Sequence, residues 1–444
     1  MAELSFNPMK SILDRSDGKP HGILSVCCSN EFVIKTAMEY AKQRNCCFFI
    51  EATVNQVNQF GGYTGMKPRD FVELIHRIAD EIQFPLNQVV MAGDHLGPFI
   101  WQQLTEHEAM SLSEELVAQY VAAGFRKIHL DVSMRLASDD KNKPLDVETV
   151  ARRTARLARV SETVYAATRS NTPWPYRPVY IIGSEVPVPG GTEIEEEMEV
   201  TRPEELLESL AIFKNVLLEE NLSEVWKDVR AVVAQIGVEF SDESVHDYNH
   251  KATSSLSNAL KEYSGIVFEA HSSDYQNEAN LRQMLYDGVG ILKVGPELTF
   301  AFREGLFALA MMEQELLSCN LSLHPSKFIE ILDTVMMQSM PNYWIKYYHG
   351  NPCQQAFKRK YSFSDRSRYY FSDLQIKKSL MHLLENMDKL NIPLPLVSQY
   401  MPIQYDRIRR GIIDNRSTTL VKDKITCVLD RYYASMEVHP VQVR

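Results

Sequence analysis

The chain has 444 residues, 45% of them hydrophobic and 24% charged, which is ordinary globular usage and argues against disorder. Lys and Arg number 47 against 58 Asp and Glu, and the formal net charge of -11 argues against nucleic-acid binding through the overall field. No apolar run reaches the roughly 18 residues a membrane span needs, and Met1–Ser16 lacks the charged-then-apolar order of a secretory leader, so no membrane association and a cytoplasmic location are expected.

From Gly22 to Gly295 short apolar, β-branched runs alternate with stretches of helical periodicity. In chain order the runs are Gly22–Cys27, Cys47–Thr53, Gln88–His95, Lys127–Asp131, Val179–Glu185, Ala231–Gln235, Gly265–His271 and Gly290–Val294. Each reads as a strand buried on both faces of a parallel sheet and is followed by an amphipathic segment, as in Pro68–Ile82, Glu106–Ala123, Val147–Tyr165, Pro203–Glu219 and Pro296–Leu317. Thr201-Arg202-Pro203-Glu204 carries a helix cap with Pro in the first turn, and the acidic run Glu193–Glu199 reads as a solvated helix start or loop. Eight such units predict an α/β fold, a (β/α)8 TIM barrel over residues 1–317. No GxGxxG follows a strand, which counts against a dinucleotide-binding sheet. Beyond Ser318 the pattern turns helical, with helices predicted at Pro325–Gln338, Asp373–Lys389 and Lys422–Ala434, so residues 318–444 are expected to form a helical extension covering the barrel.

In such a barrel the strands carry the active site at their carboxyl ends. Here the runs end in Glu51, Asp94-His95, His129 and Asp131, Glu185, Gln235, Glu269 and His271, and Lys293. Burying so many ionisable groups at one rim is costly unless they pair or hold an ion. The seven cysteines include the adjacent pairs Cys27-Cys28 and Cys46-Cys47 in apolar runs and form no CxxC, so a metal site is expected from imidazoles and carboxylates. The expected cofactor is a divalent metal, with zinc first in line, held by His95, Glu185 and His271; Gln235 or Asp131 is a fourth ligand or a substrate partner. The plainer alternative is that one or two of these histidines bond backbone carbonyls. Asp94 is placed as general base if Gly97-Pro98 turns the chain after His95, and otherwise caps that bend.

A phosphate site is expected on the loops after the seventh and eighth strands, at Ser272, Ser273, Lys293 and Gly295. The segment Ser364–Arg368, with Arg366, either folds over the mouth as a second cationic cluster or forms a salt-bridged surface helix. The glycine-rich loop Gln59–Gly65 has the flexibility of a lid or substrate loop.

The segments IEATVNQVNQFGGYTGM (50–66), GDHLGP (93–98), YVAAGFRKIHLDVSM (120–134), IGSEVPVPGG (182–191), FEAHSSDYQ (268–276), ILKVGPELTFAFREGLFAL (291–309), YSFSDRSRYY (361–370) and IPLPLVSQYMP (392–402) together resemble the GatZ/KbaZ family, the Z-type subunit of class II D-tagatose-1,6-bisphosphate aldolase. The resemblance covers nearly the whole chain. It implies a barrel related to class II aldolases in galactitol or N-acetylgalactosamine breakdown, needed for the activity and stability of a separate catalytic Y subunit. Some members of the family are ketohexose-phosphate 4-epimerases, and many carry the label tagatose-6-phosphate kinase. The sequence has no P-loop, so the kinase label finds no support.

Carried over by this resemblance, Asp94-His95 matches the base and first metal ligand of class II aldolases, and His271 matches a later ligand. Lys293-Val294-Gly295 matches the segment leading to a phosphate-proximal helix. The departure is Glu185-Val186, where the catalytic subunits carry His-Gly, and a carboxylate in place of an imidazole changes the charge and reactivity of a metal. The resulting expectations are catalytic roles for Asp94, Glu185 and Asp131, and substrate or phosphate contacts from Glu51, Gln235, Ser272, Ser273, Lys293, Gly295 and Arg366. Two readings follow: a Z-type component that supports an aldolase while retaining a metal and sugar-phosphate site, or a stand-alone epimerase interconverting fructose 6-phosphate and tagatose 6-phosphate. The expected partners are a ketohexose phosphate, the Y subunit and further copies of the chain.

Overall fold

The structure, a computed structural model, describes residues 7–14, 21–143, 145–183, 199–318, 323–339 and 341–436. Glu185 and most of the acidic run 193–199 lie outside the described residues.

Each of the eight apolar runs supplies one barrel strand: β1 (Ile23–Cys27), β2 (Phe48–Thr53), β3 (Val89–Leu96), β4 (Lys127–Leu130), β5 (Val179–Ile182), β6 (Val229–Val232), and then, after a short antiparallel hairpin of β7 (Glu239–Phe240) and β8 (Val245–His246), β9 (Val267–Ala270) and β10 (Val289–Val294). All barrel pairings are parallel and β1 closes on β10, giving a (β/α)8 barrel. The expected helices Pro68–Ile82, Glu106–Ala123, Pro203–Glu219 and Pro296–Leu317 form with those bounds, and the helix expected from Val147 to Tyr165 runs on to Thr168. Their starts have local causes. Thr105 Oγ1 accepts the Glu108 N–H while a Glu108 carboxylate oxygen accepts the Thr105 N–H. At 201–204 the cap differs from expectation: Arg202 is the residue before the helix, and the Thr201 hydroxyl instead accepts the Gln235 N–H at 2.9 Å.

Side chains alternate in and out along each strand. Outward residues such as Ile50, Met91, Ile128 and Leu292 join one large apolar cluster with the surrounding helices. Inward residues divide by depth. At the amino end Ile23, Phe49, Val90, Ile181, Ala231, Val267 and Ile291 pack with Met9 and Leu13 of the N-terminal segment, which plugs the floor. Two residues beyond Phe49, Val267 and Ile291 the interior becomes charged: Glu51, Glu269 and Lys293 are buried, together with Lys127 at the start of β4.

The C-terminal part is helical, with Phe328–Gln338, Leu374–Leu390 and Ser417–Ser435 close to the expected spans and Pro352–Tyr361, Leu394–Tyr400 and Pro402–Arg409 in addition. The long helix Ser417–Ser435 packs along Pro296–Leu317, where Gly305 leaves room for the Val421 backbone, so barrel and extension share the outer apolar cluster. Among the described residues no helix is long and apolar enough to cross a membrane.

Candidate active site

Neighbouring residues of a strand point to opposite sides, yet Asp94 and His95 both face the mouth of the barrel. The reason is a break at His95, whose φ of 48° is left-handed, together with a register shift between Gly93 and Leu96 in the β3–β4 pairing. The bend therefore falls at His95 itself, ahead of Gly97-Pro98. Gly97 serves a different need: a Cβ there would lie 1.8 Å from the Asp131 carbonyl oxygen, so only glycine lets the ends of β3 and β4 meet.

On β4 the inward series is Lys127, His129 and Asp131. His95 Nδ1 bonds Asp131 Oδ2 at 2.7 Å, and His129 Nδ1 bonds Asp94 Oδ1 at 2.8 Å. The His95 N–H also lies 3.2 Å from His129 Nδ1. That nitrogen cannot both donate and accept, and the shorter bond to an ionised carboxylate takes its proton. His129 Nε2 is then a buried lone pair without a hydrogen-bond partner. The rings of His95, His129 and His271 form a nearly equilateral triangle, with centroids 4.9 to 5.1 Å apart. One donor atom from each, and one from Asp94, lie within 4.8 Å of one another.

Below this cluster Lys127 Nζ joins Glu51 and Glu269, the latter at 2.7 Å, and Lys293 Nζ joins Asp94, with Glu51 at 3.4 Å and His271 Nε2 at 3.3 Å. Burial pushes the Asp94 pKa up, but His95, Lys293 and His129 outweigh it and hold the carboxyl well below its usual range. For His271, burial and then the Lys293 charge hold the imidazole well below its usual value, so it is neutral with a lone pair to offer. Four buried carboxylates (Glu51, Asp94, Asp131, Glu269) face two ammonium groups (Lys127, Lys293), leaving two negative charges uncompensated when the imidazoles are neutral. The donor set and that charge deficit both fit one divalent cation.

A cavity of about 80 Å³, room for two or three waters, opens above these groups, lined by Asp94, His95, His271, Ser272, Lys293 and Gly295 from the barrel and by Tyr63, Arg368 and Tyr369 at the rim. Several expected site residues lie elsewhere. The Ser273 hydroxyl donates to the Lys293 carbonyl beneath the surface. The Gln235 side chain accepts the Gly237 N–H at 2.9 Å. Arg366 turns away from the mouth, stacks over Tyr347 and bonds the Tyr343 carbonyl, while Arg368, two residues on, enters the cavity. The loop Gln59–Gly65 is held by its own turn: Gly62 packs against the Gln56 carbonyl, where a Cβ would come within 2.4 Å, and Tyr63 rests against Tyr369 with ring centroids 4.6 Å apart. Sequence reasoning left His129 out of the ligand set and passed over Lys127; the alternation Lys127-His129-Asp131 was the available signal.

Residues 9–437 match the family described as D-tagatose-1,6-bisphosphate aldolase subunit GatZ/KbaZ-like. Among solved structures, the chain is 38% identical to a "probable tagatose 6 phosphate kinase" from Sinorhizobium meliloti 1021, with a TM-score of 0.84 over 94% of this chain and 100% of that one. The fructose-bisphosphate aldolase Fba of Campylobacter jejuni aligns over 86% of this chain and 94% of its own, at 14% identity and a TM-score of 0.45. That likeness is too loose for any role to pass from it.

Proposed function

This chain belongs to the D-tagatose-1,6-bisphosphate aldolase subunit GatZ/KbaZ-like family, and from that premise we propose that it binds a divalent cation and a ketohexose phosphate at its barrel mouth as a Z-type aldolase component. The observation that carries the reading is the convergence of Asp94, His95, His129 and His271, with a buried His129 Nε2 that has no hydrogen-bond partner among the described residues. His95, His129 and His271 would hold the cation, and zinc suits three imidazoles beside a carboxylate. When bound, such an ion supplies a Lewis acid that polarises a substrate carbonyl.

The chain's own groups do the rest. Asp131 fixes the His95 ring through Nδ1, leaving Nε2 towards the cluster. Asp94 is ionised, anchored by His129 and Lys293, and presents a carboxylate to the cavity that can take the proton of a substrate hydroxyl. Lys293 stands beside it to stabilise the negative charge that deprotonation or carbon–carbon cleavage leaves on the sugar. Such chemistry serves either cleavage or inversion at C4. The stand-alone 4-epimerase is favoured by one feature, namely that base, imidazoles and rim cations all come from a single chain.

The test is metal analysis and assay of the purified chain, alone and with a Y-type subunit. One equivalent of metal in the wild type, lost in His129→Ala and His95→Ala with the fold intact by circular dichroism, supports the site. Wild-type protein that binds no divalent cation after loading sinks it. Interconversion of fructose 6-phosphate and tagatose 6-phosphate by the chain alone selects the epimerase; tagatose 1,6-bisphosphate cleavage only with the Y subunit selects the component.

A further inference from the structure

The loops after β9 and β10 lead to the amino end of the helix Pro296–Leu317, a place where barrels receive phosphate. In this protein that place is filled from within. Asp274 Oδ1 accepts the Gly295 N–H at 3.0 Å and the Glu297 N–H at 2.8 Å, and Asp274 is buried. Glu297 adds a second buried carboxylate beside it. An incoming phosphate would meet the Asp274 carboxyl and no unclaimed amide at Gly295 or Glu297, while the Glu297 carboxylate is itself paired with Arg431.

Positive charge enters the same cavity from the C-terminal part. Arg368 lines the cavity, and among the described residues no carboxylate lies within ion-pair distance of it. Its guanidinium is instead positioned by neutral groups: the carbonyls of Ser364 and Asp365, the latter at 3.1 Å, and the Tyr369 hydroxyl at 3.1 Å, with the Tyr369 ring 4.6 Å beneath it. The aromatic wall of Tyr63, Tyr343 and Tyr369 braces that arrangement. The cavity thus has surplus negative charge at its base and, at its rim, a cation that no carboxylate contacts directly among the described residues. A ketohexose phosphate has the matching polarity, with carbonyl and hydroxyls inward and phosphate outward.

Resting on the sugar-phosphate reading above, we propose that the substrate phosphate is bound by Arg368, delivered by the C-terminal extension, rather than by the loops after β9 and β10. A planar guanidinium held over an aromatic ring can present paired N–H groups to an oxyanion, which a lysine cannot reproduce. The extension then completes the substrate site of the barrel.

The experiment uses the full-length, metal-loaded protein, with inorganic phosphate as the calorimetric probe and a ketohexose 6-phosphate as the kinetic one. Arg368→Gln is expected to weaken phosphate binding by about 30-fold or more, and Arg368→Lys by less. In the assay Arg368→Lys should raise KM for the phosphorylated ketose far more than it lowers kcat. Wild-type protein that does not bind phosphate, or an Arg368→Gln or Arg368→Lys protein that is folded and binds it as the wild type does, overturns the assignment. If Arg368→Gln does not fold, Arg368→Lys alone decides. The two readings fail separately: Arg368-dependent phosphate binding by a protein that turns over no ketohexose phosphate, with or without a Y subunit, keeps the anion site and removes the sugar-phosphate role.

Discussion

Lys127 lies wholly inside the barrel, bridging Glu51 from β2 and Glu269 from β9. A buried pair broken from one side leaves its partner charged and unpaired, which costs about 3 to 5 kcal/mol. Here one ammonium serves two carboxylates, and Lys293 is already engaged with Asp94. Lys127→Met keeps most of the side-chain length and removes only the charge. It is expected to lower the stability of the protein by about 3 kcal/mol or more, read as a shift in the urea midpoint at unchanged slope. An unshifted midpoint would mean that Glu51 and Glu269 are not ionised together. This residue is easily passed over in the sequence, because a lysine opening an apolar run looks like the solvated start of a strand unless its alternation with His129 and Asp131 is followed. Arg366 and Arg368 posed a different difficulty: in an irregular segment two arginines two positions apart cannot be assigned to a face, and the sequence reading named Arg366 where the cavity is lined by Arg368.

The helix Pro296–Leu317 takes its start from a residue 22 positions upstream of it, since Asp274 caps it through the Gly295 and Glu297 amides. Cap removal elsewhere costs about 1 kcal/mol, and a buried amide left unsatisfied costs about 1 to 3 kcal/mol. Asp274→Ala should therefore lower the melting temperature. It should also free the helix end for an anion, a second place beside the Arg368 site, so added sulfate should stabilise the variant by more than it stabilises the wild type. Equal sulfate response in both proteins would count against the cap. The eight strands were legible because parallel strands buried on both faces leave continuous apolar runs, and the helices because their polar faces repeat at helical spacing. The carboxyl ends were overextended: β5, β6 and β9 stop at Ile182, Val232 and Ala270, before the polar residues that the sequence runs included. Polar residues at a barrel rim continue the inward series after the ladder has ended, so composition does not reveal where hydrogen bonding stops. The left-handed backbone at His95 was equally hidden, because the groups that hold this residue, His129 and Asp131, are remote in sequence.

Across the whole molecule, the barrel supplies the charged well and the C-terminal extension supplies part of its rim, while the N-terminal Met9 and Leu13 stop its lower end. Among the described residues the cylinder is thus a blind shaft with a single doorway, framed by Tyr63, Arg368 and Tyr369. How long an ion stays inside is then governed by traffic through that doorway as much as by the strength of its bonds to imidazole. Stripping the loaded protein with a chelator should reach a plateau rate as chelator concentration rises, and Tyr369→Ala should lift that plateau. A rate that climbs in proportion to chelator without limit would reveal a back exit.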